Sequence, residues 1–474
     1  MNNISWDDVQ GFLLSGFGHL DHSRFLFVHF PPDFDAQAWL ETLPITNAVQ
    51  TINREELTEA INIAFTSEGL TALGYPSSER EKFAPEFVAG MGDYERARRL
   101  GDSGLSDPQR WEIGKPKTLP IHALLILKAS SVPQLDKLTE DYSKGWKLAA
   151  PAQDGWTSKD DQREHFGFVD GISQPTIEGS PLPPRGDIVP TGEFILGYKN
   201  AYGMFPSTPT LPHNPLHDEV ASVARVVTSA LPDTGEDSPR MNFGHNGTYL
   251  VFRKLAQDVW LFRDFVARNA QGKDDAFAAK LVGRWQSGAP LALYPDTDPR
   301  RASNDFGYQQ DRDGLKCPIG AHVRRANPRD DLEHNPERSL DSVKRHRILR
   351  RGVLYGNRLP EGSDDDSHDP LKERGLLFIC LNTNIRRQFE FIQQTWLNSS
   401  KFGGLRNDRD PIAGNNLQPG EPQGRYDITI QASPARQRKV ELPRFVTMRG
   451  GGYFFLPSIS AVHFLARLRN SKGS

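Results

Sequence analysis

The chain of 474 residues contains only two cysteines, Cys317 and Cys380. That is too few for a disulfide scaffold, and neither has a second cysteine at metal-finger spacing. No apolar run approaches the roughly 20 residues that a membrane span needs. Residues Met1 to Asp8 (MNNISWDD) lack the basic and apolar regions of a secretory leader. An excess of one charge is missing too: 57 Lys and Arg stand against 60 Asp and Glu, a net charge of −3. There is thus no general electrostatic drive toward nucleic acid or an anionic membrane. These absences predict a soluble, cytoplasmic protein whose partners are recognised locally.

What is present is an ordinary globular composition, 37% hydrophobic and 25% charged. The length exceeds a single domain and predicts two, each with its own core. Phe25-Leu26-Phe27-Val28-His29-Phe30 reads as a strand stopped by Pro31-Pro32, with a helix soon after. Glu55 to Ala72 spaces Leu57, Ile61, Ala64, Phe65 and Leu70 like a helix ending before Gly74 and Pro76. Ile121 to Leu127 has strand length, although its period does not separate it from a buried helix. From Gly179 to about Pro239, eight prolines from Pro181 to Pro215 interrupt any long element, leaving a short strand at Phe194-Ile195-Leu196. The second half returns to strands at Thr248–Phe252, Gly375–Leu381 and Gly452–Leu456. Helical patterns lie between them at Gln257–Asn269 and Phe389–Leu397, and Glu361–Asp369 reads as an exposed loop.

Three segments carry chemistry. In Gly320-Ala321-His322-Val323-Arg324-Arg325-Ala326-Asn327-Pro328-Arg329 an imidazole stands among small residues, with cations close behind. In Gly167-Phe168-Val169-Asp170-Gly171-Ile172-Ser173-Gln174-Pro175, glycines flank an acid in a turn and allow the backbone to approach a flat ligand. Arg345 to Gly356 (RHRILRRGVLYG) interleaves cations with apolar residues. Taken singly, these read first as a structural histidine, an Asx-turn and a solvated basic face or anion patch.

Taken together, they resemble the dye-decolorizing peroxidase family. Gly167, Asp170 and Gly171 meet its Gly-x-x-Asp-Gly signature. His322, Arg324, Asn327, Pro328 and Arg329 meet its His-x-Arg-x-x-Asn-Pro-Arg pattern, and Arg350 stands for the arginine before a Gly-x-x-Tyr-Gly turn. Further similarity covers Asn62–Thr66, Val282–Gly288, Asn304–Phe306 and Gly450–Pro457.

The resemblance implies an α+β fold of two ferredoxin-like halves with antiparallel sheets and haem in the C-terminal half. The halves are expected over residues 1–200 and 241–474, with 201–240 connecting them. It implies one haem b per chain, held without thioether links since Cys-x-x-Cys-His is absent, with His322 as the iron ligand. Asp170 is then the acid/base that handles the peroxide proton, with an acidic optimum, and Arg350 the fixed positive charge, with Arg351 as its rival. Arg329 is expected on a propionate, Gly171 and Gln174 against the cofactor, and Leu376 and Phe378 on a dry distal wall. Asn398 is the expected acceptor from the second His322 nitrogen. Hydrogen peroxide and a phenolic or dye-like reductant are the implied partners, for a monomer or homo-oligomer. Two rivals stay open: a non-haem metal held by His19 and His22 or by His213 and His217, and a haem carrier, which would not need Asp170 or Arg350.

Overall fold

The apolar run at Phe25 forms the centre of β1 (His22–His29), and α1 (Ala36–Thr42) follows the two prolines. Asp35 opens α1 by accepting the Ala38 N–H on its carboxylate. β2 (Glu59–Phe65), β3 (Ala123–Ala129), α2 (Val132–Tyr142) and β4 (Gln153–Trp156) complete the first half. The helix expected over Glu55 to Ala72 is corrected here, since residues 59–65 are strand and only Ser67–Ala72 are helical. Every residue from Ala60 to Phe65 is buried. A strand covered on both faces does not alternate, and its apolar residues imitate a helical stripe. In this computed structural model the described residues are 4–157, 162–212, 240–360, 372–416, 427–439 and 441–468.

The second half holds β5 (Thr248–Gln257), α3 (Val259–Asn269), α4 (His322–Ala326), β6 (Leu349–Arg350), β7 (Val353–Tyr355), β8 (Gly375–Asn382) and β9 (Val446–Leu456). The first sheet runs β2-β3-β1-β4 and the second β7-β8-β5-β9, all antiparallel, with β6 also on β8. Counted within each half, both sheets have the order 4-1-3-2 of a ferredoxin-like unit. The two halves thus repeat one topology.

The sheets meet at both margins, where Phe455 pairs with Phe65 and Leu354 with Trp156, so the strands close into a ring. Phe25, Phe27, Leu124 and Ile126 of the first sheet and Phe252, Leu377, Ile379 and Phe454 of the second fill one common interior. A separate core for each half was expected, yet this core belongs to both. Each of these side chains contributes roughly 1.5–3 kcal/mol by leaving water, and each does so only with the opposite sheet in place.

Phe194-Ile195-Leu196, expected as a strand, forms a buried turn. Both Phe194 and Ile195 N–H groups donate to the Thr191 carbonyl, which curls the chain instead of extending it. Residues 213–239 of the Pro-rich stretch, with His213 and His217, and the Glu361–Asp369 stretch lie outside the described residues. Among the described residues no helix is long and apolar enough to cross a membrane.

Candidate active site

Alternation along the second sheet sends one set of side chains into the barrel and the other outward. The outward set, Arg253, Leu255 and Gln257 of β5, Leu376 and Phe378 of β8, and Val446 and Met448 of β9, lines a cavity of about 310 Å³. The long excursion between β5 and β6 brings α4 and His322 to it. The one between β8 and β9 brings the π-type helical segments Arg386–Glu390 and Ile392–Leu397. The segment joining the two halves adds the Asp170 loop. Leu376 and Phe378 therefore do share one wall with the other expected site residues, as their spacing of two required.

The Asp170 loop is pinned from behind. The half-buried Glu164 carboxylate accepts the Phe166 and Phe168 N–H groups at 2.9 Å each and the Gln257 amide at 2.7 Å. The Asp170 N–H donates to the Gln162 carbonyl. Gly167 and Gly171 have φ of 99° and 80°, a region that favours glycine, and this lets the chain reverse around the acid. Asp170 Oδ1 accepts from the Gly171 N–H at 2.6 Å and from the Arg350 guanidinium at 2.9 Å. Burial works against the Asp170 charge, but Arg350 and the Gly171 N–H outweigh it and hold the carboxyl below its ordinary range. The side chains of Arg350 and Asp170 keep 32% and 46% of their surface free. A pair that open contributes about 0–1 kcal/mol, so stability does not account for it.

Strand alternation also separates Arg350 from its rival. Leu349 points into the barrel and Arg350 outward to the cavity. Arg351 turns back and donates to the carbonyls of Phe12, Leu13 and Leu14. Gln174 is not among the residues that line the cavity; its side chain accepts the Arg350 N–H at 3.1 Å.

His322 opens α4, and both carboxylate oxygens of Asp410 lie 3.0 Å from its Nδ1. This corrects the expected partner. Asn398 ends the helical segment and is spent elsewhere, donating to the Leu100 carbonyl and accepting the Asn415 N–H, both at 2.8 Å. Asp410 is fully buried and also accepts the Ile412 and Ala413 N–H groups at 2.9 and 2.7 Å. Burial opposes charge on both members of the His322–Asp410 pair. Their mutual attraction prevails, raising the imidazole above its ordinary value and lowering the carboxyl below its own. With the proton fixed on Nδ1, Nε2 is the ring nitrogen left to hold a metal. The cations behind it do not serve the cavity equally. Arg324 is buried against Asp311 and Asp331, and Arg325 donates to the carbonyls of Trp396, Ser399 and Asp408.

Arg329 does line the cavity, lying 3.9 Å over the Phe306 ring and donating to the carbonyls of Asn304 and Phe306. Arg284 and Tyr308, which the sequence reading missed, join it there. Burial pulls the Arg284 guanidinium down to about 10, with Arg329 and Arg350 adding to the effect. The fully buried Tyr308 hydroxyl has no partner among the described residues. Arg284 and Arg329 spend their N–H groups on backbone carbonyls and have no carboxylate partner among the described residues, so this edge holds positive charge beside the unpartnered Tyr308 hydroxyl. A flat apolar ring that presents iron to His322 and carboxylates to this edge fits that donor set. Among the described residues no group of three or more His, Cys, Asp or Glu could hold a bare metal ion. His19 is bonded instead to the Leu57 carbonyl through Nε2.

No family model matches the chain. It is 30% identical to Peroxidase 2 of Mycetinis scorodonius over 97% of its own length and 87% of that protein's. A crystal structure of a fungal DyP-type peroxidase from Auricularia auricula-judae superposes with a TM-score of 0.76 at 25% identity, covering 98% of this chain and 100% of the other. A dye-decolorizing peroxidase solved in complex with 2,6-dimethoxyphenol gives 0.74 at 26%, over 98% of this chain and 100% of the other. With its two ferredoxin-like halves and this likeness along nearly its whole length, the chain belongs to the dye-decolorizing peroxidase family of enzymes.

Proposed function

We propose that the enzyme reduces hydrogen peroxide with the help of one non-covalently held haem b and oxidises phenolic or dye-like reductants in one-electron steps. The observation that carries this reading is the Asp170–Arg350 pair at 2.9 Å, opening onto the same cavity as the Asp410-braced His322. His322 Nε2 would hold the iron, and Arg329, Arg284 and the Tyr308 hydroxyl would receive the propionates. When bound, haem supplies the redox-active iron at which peroxide is reduced and from which the reductant is oxidised.

The chain's own residues manage the proton. Oδ1 of Asp170 is committed to Gly171 and Arg350, so Oδ2 is the oxygen that takes the proton from peroxide and returns it to the departing oxygen. Arg350 stays charged and offsets the negative charge that develops on the peroxide oxygens. Leu255, Leu376 and Phe378 keep water away from that transfer. Asp410 accepts from His322 Nδ1 and, being a carboxylate where an amide was expected, makes the ring a stronger electron donor. The relative solved with 2,6-dimethoxyphenol supports a phenol as one reductant. A haem carrier would need His322 but has no use for a charged acid/base pair on the cavity wall. The test is Asp170→Asn: the Soret band should persist while peroxide turnover collapses. Unchanged turnover would remove Asp170 from the reaction.

A further inference from the structure

Three buried polar groups inside the barrel find no hydrogen-bond partner among the described residues: Lys128 Nζ, Ser23 Oγ and Asn62 Nδ2. All three residues are 0% exposed. The strand register brings them together. Ser23 lies opposite Lys128 across β1 and β3, and Ala60 lies opposite Lys128 across β2 and β3, so Asn62 is the diagonal neighbour of Lys128. By alternation Ser23 shares its face with Phe25 and Phe27, Asn62 with Ala60 and Ala64, and Lys128 with Leu124 and Ile126. All six of those neighbours belong to the barrel core.

The unmet demand is for an acceptor. Asn62 Oδ1 is already used by the Phe12 N–H at 3.0 Å, which fixes the amide with its NH₂ toward the interior. Lys128 can only donate, and Ser23 can donate as well as accept. The charge around them is lopsided. Arg351 adds a second cation whose guanidinium is committed to carbonyls, while among the described residues Asp21 is the carboxylate that acts on Lys128. Burial, with Arg351 assisting, pulls the ammonium down to about 7 against the opposing pull of Asp21. Native interiors seldom leave such groups unmet.

We propose that this end of the barrel binds a small monovalent inorganic anion of halide size, held by Lys128 Nζ, Ser23 Oγ and Asn62 Nδ2. An ordered water could accept from Lys128 and Asn62 and donate to Ser23, but it would bring no negative charge to the ammonium, whereas a halide accepts from all three and neutralises Lys128. It also carries no substituents to fit among the packed rings of Phe25 and Phe27. The site lies in the barrel interior rather than in the cavity outside the second sheet, so it does not depend on the peroxidase reading.

The experiment uses the full-length protein with its cofactor, crystallised with bromide and measured at the bromine absorption edge. An anomalous peak is expected within hydrogen-bond reach of all three atoms. In solution, exchanging sodium gluconate for sodium chloride at equal ionic strength should raise Tm by about 2 °C, and Lys128→Met should lose that rise. If Lys128→Met does not fold, Ser23→Ala should show a reduced rise. No peak at this position in the unmodified protein overturns the proposal. So does a chloride-dependent rise that survives undiminished in the variant, since that effect would come from another site such as the cofactor.

Discussion

The two halves lay their strands in the same order, but what covers their outer faces differs. Over the first sheet, Leu26, Val28, Ile61, Ile63, Leu125 and Leu127 pack beneath Trp39 and Leu40 of α1 and Leu135 and Leu138 of α2. Over the second sheet the packing stops partway along β5. Tyr249 and Val251 join the apolar layer, whereas Arg253, Leu255 and Gln257 border the cavity. Topology alone therefore does not make a site. The second half has one because its two crossover connections carry His322 and Asp410 instead of a close-packed helix face.

That comparison can be broken by substitution. The largest effect is expected from His322→Ala, which removes the proposed iron ligand. Haem affinity, followed as the Soret-to-protein absorbance ratio after gel filtration, should fall by more than about 100-fold, beyond what loss of a supporting partner costs. Asp170→Asn should keep the Soret band and lose about 10²–10⁴ in kcat/KM for peroxide, the span of a general acid/base. Arg350→Met should lose about 10²–10³ in the same constant, since only the electrostatic contribution goes.

The pH profile sharpens this. Arg350 and the Gly171 N–H hold Asp170 below its ordinary range, so its basic form survives in acid and turnover should persist there, falling only as pH drops through the lowered value. With the Arg350 charge gone, burial acts with less opposition, and the acid limb of kcat/KM should move to higher pH. A limb that stays put would separate Arg350 from the titration of Asp170. Asp410→Asn should cost about 10–100-fold in haem affinity or activity, while Asn398→Ala should leave the His322 partner in place and change either only slightly. The smallest effect on chemistry belongs to the first half. Leu125→Ala should cost about 2–5 kcal/mol of stability by denaturation and leave turnover per haem unchanged.

The parts of the fold that could be read from the sequence are those where local pattern and tertiary environment agree. β1 was evident from its apolar run, β3 had strand length but could equally have been a buried helix by its period, and the shared face of Leu376 and Phe378 followed from a spacing of two. β2 was hidden because burial on both faces erased its alternation, and Phe194–Leu196 because core burial without a ladder looks like a strand. At the site, His322, Asp170 and Arg350 were singled out by the family resemblance of the segments that hold them, each of which reads alone as ordinary structure. Asp410 had no such setting: it precedes Pro411, 88 residues after His322, and only the folded chain brings the two together. Choosing Arg350 over Arg351 from spacing agreed with the geometry, and the reason is the inward and outward alternation of a short strand.

The seams of the ring have a consequence for dissection. Each sheet touches the other through a single residue pair per margin, Phe65 with Phe455 and Trp156 with Leu354, while the apolar faces behind those seams are extensive. A fragment ending before β5 would retain its own ladder and leave Phe25, Phe27, Leu124 and Ile126 in water. Expressed alone, either piece is therefore a sticky half-shell that should aggregate, and mixing the two pieces should restore solubility before it restores colour.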